Sequence, residues 1–218
     1  GEKEMLETIK ELCLTRLPGY YEGVSPTADI QILTPVRKGL LGSMNLNREL
    51  QQVMNPPADD LEEKQIGDRL FREGDKVMQI RNNYDIIWQQ PDGTAGTGIF
   101  NGDMGIIEML DPGSKTIQVR FEEKLATYSF ENQDQLEHAY AVTVHKSQGS
   151  EFEAVVMPLE RRHPKLHYRN LLYTAVTRAR KLLIMTGQKE TVYAMVQNNR
   201  RTLRYTNQKE MLQEMCDE

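Results

Sequence analysis

Ala139-Tyr140-Ala141-Val142, Ala154-Val155-Val156-Met157 and Leu182-Leu183-Ile184-Met185-Thr186 are three short apolar runs, and apolar residues recur at helical spacing over residues 170–179 and 189–198. Short apolar runs alternating with helical patterns predict a mostly parallel sheet covered by helices. Pro158 and Gly187 read as strand ends, and residues 146–149 as a short helix after a turn. A last helical pattern covers residues 207–215.

Toward the N-terminus the texture changes. Between about Phe71 and Glu137 the period is two and turn signals crowd together: Pro91-Asp92-Gly93, Asn101-Gly102 and Asp111-Pro112-Gly113. Residues 76–80, 85–90, 105–110, 116–121 and 126–130 read as five strands of a small antiparallel barrel, with Asn101-Gly102 as a hairpin turn. Trp88 reads as a core or rim aromatic of that barrel. Further upstream, Ile30-Gln31-Ile32-Leu33-Thr34-Pro35 reads as a buried strand, and Asn45 as the cap of a helix stopped by Pro56-Pro57. Met5, Leu6, Ile9, Leu12 and Leu14 predict an amphipathic helix that Pro18 and Gly19 end. The expected architecture is α/β: residues 1–65 and 138–218 build one discontinuous domain, and residues 66–137 form an inserted barrel.

The 218 residues are 39% hydrophobic and 27% charged, which excludes a disordered chain. No apolar run approaches the roughly 20 residues of a membrane span. No signal peptide is visible at the polar N-terminus, and two cysteines, Cys13 and Cys216, make no disulfide framework. Both fit a cytoplasmic protein with no membrane partner. Residues 1–137 carry 14 Lys/Arg against 24 Asp/Glu, and residues 138–218 carry 13 against 8. A basic C-terminal third on an acidic chain fits either an anion site or a solvated charged face.

Thr143-Val144-His145-Lys146-Ser147-Gln148-Gly149-Ser150-Glu151-Phe152 follows an apolar strand and gathers hydroxyl, imidazole, ammonium, amide and carboxylate groups. That mix suits phosphate or ribose contact beyond a strand's carboxyl end, and equally a polar loop capping a helix. In Arg169-Asn170-Leu171-Leu172-Tyr173-Thr174-Ala175-Val176-Thr177-Arg178-Ala179-Arg180-Lys181, the arginine at 178 falls near the end of the expected helix. There it either caps the helix or presents its planar fork to an interface.

These two segments resemble the last two motifs of superfamily 1 helicases, in the form of the RecD/TraA-like branch. Ile32-Leu33-Thr34-Pro35-Val36-Arg37-Lys38-Gly39 resembles that branch's motif at the start of its second RecA-like motor domain. Residues 76–84 and 100–105 resemble its inserted Src-homology-3-like barrel. The resemblance covers roughly residues 25–190 in the family's order. It implies a fold with a RecA-like, mostly parallel sheet, helices on both faces and an interrupting barrel. It implies an ATP-dependent DNA helicase, associated with 5′-to-3′ movement, using ATP with Mg²⁺ and binding single-stranded DNA.

By position, the resemblance makes Arg178 the arginine finger and Arg37 a second γ-phosphate arginine. Gly149 and Glu151 would line the nucleotide. Thr143 and His145 would touch strand phosphates, with Gln148 coupling the two sites. Arg180 could bind a helix end, the nucleotide or an exposed carboxylate. Lys76, Arg81, Asn82, Asn83 and Tyr84 would contact the strand from the barrel.

Other signals carry less. Gly93-Thr94-Ala95-Gly96-Thr97-Gly98 lacks the Lys-Ser/Thr of a phosphate loop and reads as a flexible connection. His163 and His167 flank Pro164 without acidic or cysteine partners, so no metal is expected. No Gly-x-x-x-x-Gly-Lys-Ser/Thr occurs in the chain. The expected partner is therefore an N-terminal P-loop motor domain, without which the isolated chain is expected to be inactive. The alternative is a non-catalytic nucleic-acid- or protein-binding adaptor derived from a motor half.

Overall fold

The computed structural model describes residues 1–20, 25–160 and 166–199. The expected helix over 207–215, His163 and Cys216 lie outside the described residues. Helix α1 (Glu2–Glu11) buries Leu6 and Ile9. It runs through a π-helical stretch, Leu12–Arg16, into α2 (Leu17–Tyr20). The chain thus stays helical past Pro18. The wide turn explains this: the Leu17 N–H reaches five residues back to the Leu12 carbonyl, so the turn opens just ahead of the proline.

A short helix α3 (Pro26–Asp29) leads into β1 (Ile30–Thr34), every residue of which is buried. Helix α4 (Ser43–Met54) starts two residues before Asn45, with Gly42 as its N-cap. Its first amides, on Ser43 and Met44, donate to the carbonyls of Val36 and Arg37. Asn45 is a donor here, through Nδ2 to the Leu40 carbonyl at 2.9 Å.

The hairpin β2 (Glu63–Ile66)–β3 (Arg69–Arg72) precedes the antiparallel part. That part has seven strands, not five: β4 (Lys76–Gln79), β5 (Asn83–Gln89), β6 (Ala95–Ile99), β7 (Met104–Asp111), β8 (Thr116–Phe121), β9 (Lys124–Ser129) and β10 (Leu136–His138). Their order is β10-β4-β7-β8-β9-β5-β6. Inward residues of both edge strands, Leu136 and Ile99, join one core with Val77, Ile107, Val119 and Tyr128, so the sheet curls around it. The glycine-rich segment expected to be a flexible connection is largely strand β6. Asn101-Gly102 is a turn, with Gly102 at φ +102°, but the strands it joins pair with other strands.

The remaining strands are β11 (Ala141–Thr143), β12 (Phe152–Leu159) and β13 (Ala179–Gly187), with helices α5 (Arg169–Val176) and α6 (Lys189–Gln197). They form a four-stranded, all-parallel sheet in the order β11-β1-β12-β13. One face packs α1 and α4 on Ile30, Ile32, Ala141 and Val156. The other packs α5 and α6 on Leu33, Val142, Val155 and Met157. The α/β expectation, with helices on both faces and an antiparallel interruption, therefore holds.

Three local expectations fail. Residues 144–149 form successive turns and no helix. Pro158 lies inside β12; the pairing of β12 with β1 ends at Val156, so no rung is lost on that side. Helix α5 stops at Val176, so Arg178 sits in the tight connection to β13 and not on a helical stripe.

The two sheets are joined by a buried polar hub. Asp75, fully buried, accepts from Gln51 Nε2 at 2.7 Å, Asn55 Nδ2 at 2.8 Å and Tyr140 Oη at 2.9 Å. Gln51 lies in the last turns of α4 and Asn55 caps its end, so the helix carries an apolar stripe to the parallel sheet and turns polar groups at its C-terminal end to the barrel. Among the described residues no helix is long and apolar enough to cross a membrane.

Candidate functional site

Strands β12 and β13 begin side by side, tied by the Phe152 N–H donating to the Arg178 carbonyl at 2.8 Å. The Arg178 side chain, half-buried, donates through Nη1 to the Ser150 carbonyl at 2.8 Å and through Nη2 to Thr177 Oγ1 at 3.3 Å. Its Nε is buried and has no partner. A guanidinium carries five donors, and here it makes two neutral hydrogen bonds and no ion pair among the described residues. Gly149, one residue before Ser150, has φ +91°, and a Cβ there would meet nothing within 4 Å, so the backbone faces open space. Glu151 lies beside it and pairs with Arg180 Nε at 3.0 Å. Arg180 also approaches Glu153, at 3.9 Å, so its part is an exposed ion pair.

Thr143 lies elsewhere. It ends β11 and lines an open cleft of about 810 Å³ at the junction of the parallel sheet, α4 and the β2–β3 hairpin. Arg37 and Lys38 after β1, Arg48 on α4, Arg69 on β3 and Lys146 after β11 bring cations to its wall. Glu137 stands among them: Lys146 Nζ is 2.6 Å away, Arg37 Nη2 3.4 Å and Arg69 Nη2 3.6 Å. Burial pushes the Glu137 carboxyl up, but the Lys146 hydrogen bond and the three cations outweigh it and hold the group below its ordinary range.

Arg37 is thus grouped with Thr143, and no contact among the described residues brings it to Arg178. Arg37 follows the carboxyl end of β1 and Arg178 precedes the amino end of β13, so the two expected phosphate arginines sit at opposite ends of the parallel sheet.

The turn region 144–151 links the two places. Thr143 and Ala154 are registered on Thr34 and Ile30 of β1, four residues apart, roughly 13 Å along the strand. The chain therefore descends across the sheet face from the carboxyl end of β11 to the amino end of β12. Ser147 pins the descent, fully buried, with its hydroxyl donating to the Val144 carbonyl at 2.8 Å. His145 is exposed near the cleft end with Nε2 3.2 Å from Tyr168 Oη, and Gln148 is exposed next to Gly149.

The barrel residues separate into two kinds. Lys76 is buried, with Nζ 3.3 Å from the Ile30 carbonyl and 5.9 Å from the Phe152 ring centroid, so it cannot reach a bound strand. Its strand β4 is covered on both faces because it runs where the barrel meets the parallel sheet. Asn83 is consumed by its own turn: Oδ1 accepts from the amides of Asp85 and Ile86, and Nδ2 donates to Gln135. Asn82 is exposed and holds the Asn101 amide. Arg81 is exposed and paired with Asp134 at 2.8 Å. Tyr84 is 65% exposed and meets Phe100 edge to face at 5.6 Å. Arg69 and Glu137 carry no signal in the sequence, since they reach the cleft from strands distant in the chain, and Phe100 lies in the 100–105 stretch without a role assigned to it there.

Residues 46–121 match a family described as the ATP-dependent RecD-like DNA helicase SH3 domain, and residues 138–186 match the UvrD-like helicase C-terminal domain. The ATP-dependent RecD2 DNA helicase of Deinococcus radiodurans is 35% identical over 158 residues, covering 72% of this chain and 20% of that protein. The RecBCD enzyme subunit RecD of Buchnera aphidicola is 29% identical over 172 residues, covering 78% of this chain and 26% of that protein. The crystal structure of Bacteroides Pif1 helicase with ADP-AlF3 and ssDNA superposes with a TM-score of 0.48 and 15% identity, over 99% of this chain and 50% of that one.

Fold and matches together define a segment of a superfamily 1 helicase. Within that superfamily the chain belongs to the RecD-like branch, as part of its C-terminal portion. It spans about a fifth to a quarter of the length of these curated relatives.

Proposed function

We propose that this chain is the second motor half, with its inserted barrel, of an ATP-dependent DNA helicase, and that Arg178 is its arginine finger. The observation that carries the reading is the state of Arg178. Its guanidinium is half-buried, unpaired by any carboxylate among the described residues, and adjacent to the open backbone at Gly149. A half-buried arginine that has no carboxylate partner among the described residues, and that spends only two of its five donors, fits an anionic ligand brought to it from outside. Gly149, Glu151 and Arg178 would then line one side of an ATP molecule, whose γ-phosphoryl group is the one transferred to water. A P-loop domain would hold the remaining phosphates and Mg²⁺; among the described residues no three His, Cys, Asp or Glu side chains converge on a metal site.

Arg178 supplies fixed positive charge to the phosphoryl group as charge shifts in the transition state. Thr143, the cleft cations and exposed His145 form the strand track, with Arg81, Asn82, Tyr84 and Phe100 as the barrel's contribution. Arg37 belongs to the track in this reading. The pinned stretch 144–151, carrying Gln148, would transmit movement between arginine and track. Residues 1–65 with 138–218 form the motor half and 66–137 the inserted barrel, the β2–β3 hairpin lying on their border. Movement 5′-to-3′ and inactivity of the isolated chain belong to the same reading.

In the full-length protein, Arg178→Ala should lower ATPase kcat by about 10³–10⁵ while nucleotide-free binding to single-stranded DNA persists. ATP turnover by the isolated chain that Arg178→Ala abolishes would refute the proposal. Unwinding of duplexes with a 5′ or a 3′ tail tests polarity.

A further inference from the structure

We infer that Glu137 is a built-in stand-in for a strand phosphate: its carboxylate holds the cleft cations that a bound sugar-phosphate backbone takes over. The inference rests on the reading of the cleft as a strand track. Arg37, Arg69 and Lys146 come from three separate elements, and all three turn onto this one carboxylate. Glu137 itself comes from a fourth element, β10, at the barrel edge.

Each oxygen has a defined load. Oε2 faces Lys146 Nζ at 2.6 Å, and Oε1 faces Arg37 Nη2 at 3.4 Å and Arg69 Nη2 at 3.6 Å. Only the Lys146 contact is tight. The two guanidinium contacts are longer than the Lys146 contact, and such partly solvated pairs give up little on parting. Arg37 is 62% exposed and Lys146 40%, so both can swing to a ligand in the cleft. Arg69 is anchored by a 2.7 Å bond from Nη1 to the Leu136 carbonyl and stays as a fixed point.

Around this centre the cleft wall holds five cations, Arg37, Lys38, Arg48, Arg69 and Lys146, against Asp68 and Glu137. A ligand that spans the cleft with successive phosphates can engage several cations at once and displace one carboxylate. A single phosphate gains too little. The cleft thus favours a phosphodiester chain over a mononucleotide, and Glu137 sets the threshold for entry.

The test compares the 218-residue chain with its Glu137→Gln variant, which keeps the shape and removes the charge. Binding is read by fluorescence anisotropy of a labelled 15-mer of deoxythymidylate across a salt series. Glu137→Gln should tighten binding about tenfold and steepen the salt dependence by roughly 0.7 per added phosphate contact. Arg37→Gln with Lys146→Gln should weaken binding in both backgrounds. If Glu137→Gln folds poorly, Glu137→Asp, which draws the charge back by one methylene, should tighten binding by a smaller factor.

Unchanged or weaker oligonucleotide binding by a well-folded Glu137→Gln chain overturns the inference and makes Glu137 a structural staple. In that case, wild-type binding that the Arg37/Lys146 pair of changes abolishes leaves the track reading standing. No binding by either chain removes both. Tightening toward tripolyphosphate without tightening toward the 15-mer also overturns the inference, because the cleft would then be a nucleotide site.

Discussion

Lys76 shows what burial does to a charge that sequence alone assigns to a ligand. Its ammonium rests against the carbonyls of Ala28 and Ile30. Burial pushes its pKa down to about 8, with Asp29 offsetting part of the shift. Between pH 8 and the unfolded value near 10.5 the unfolded chain binds more protons at this site, so stability rises with pH there. Below pH 8 both states are protonated and the cost is constant. Cys13, pushed up to about 12 by burial, acts in the opposite sense above pH 9, where only the unfolded thiol ionises. The clean window is therefore pH 8 to 9. Urea unfolding there should show wild type gaining about 1 kcal/mol relative to Lys76→Met, which has no such titration. A pH-independent difference between the two would mean that Lys76 titrates normally.

At the scale of an element, β6 depends on two missing side chains. Gly96 is registered opposite Trp88 on β5, and a Cβ at 96 would run into the indole ring. Gly98 takes φ +97° where the chain passes the Phe100 ring. The glycines let aromatic rings lie across an edge strand at the two positions that carry no side chain. Gly96→Ala should therefore cost about 1–3 kcal/mol by displacing Trp88, read as a lower urea midpoint with a changed emission from this single tryptophan. An unchanged midpoint would show that the ring can shift at no cost. The same element explains a misreading: glycines at this spacing carry turn signals and erase the period-two pattern. Helix α5 failed in the other direction. Its apolar spacing runs on to Ala179, but the chain turns at Thr177 to place Ala179 opposite Phe152 in the sheet.

For the whole molecule, the Asp75 hub decides whether barrel and parallel sheet behave as one body. Five groups converge on a carboxylate with no exposed surface: Gln51, Asn55, Tyr140 and the Arg72 amide donate to it, and His138 Nε2 lies 3.1 Å away. Asp75→Ala strands them all in a buried site, and about 3 kcal/mol or more of stability should be lost. Because Trp88 reports on the barrel alone, its fluorescence transition in urea should then separate from the far-ultraviolet circular dichroism transition, while the two coincide in wild type. Coincident transitions in both chains would show that apolar contact alone couples the sheets. The same junction forms the cleft, so loosening the hub also loosens the cleft wall.

The sequence by itself determined the elements whose patterns are local: the buried run of β1, the alternation of β8, and the helical spacing of α4 and α6. Those patterns survive because each is set by burial of neighbours a few positions away. Only the tertiary structure decided which charges are free. Lys76 and Asn83 read as ligands until packing and a turn claimed them, and Arg37 moved to the cleft because β1 ends there. Glu137 and Arg69 carried no signal at all, since an ion cluster drawn from four elements has no spacing in the chain. Electrostatic roles depend on distance and burial, and linear order encodes neither.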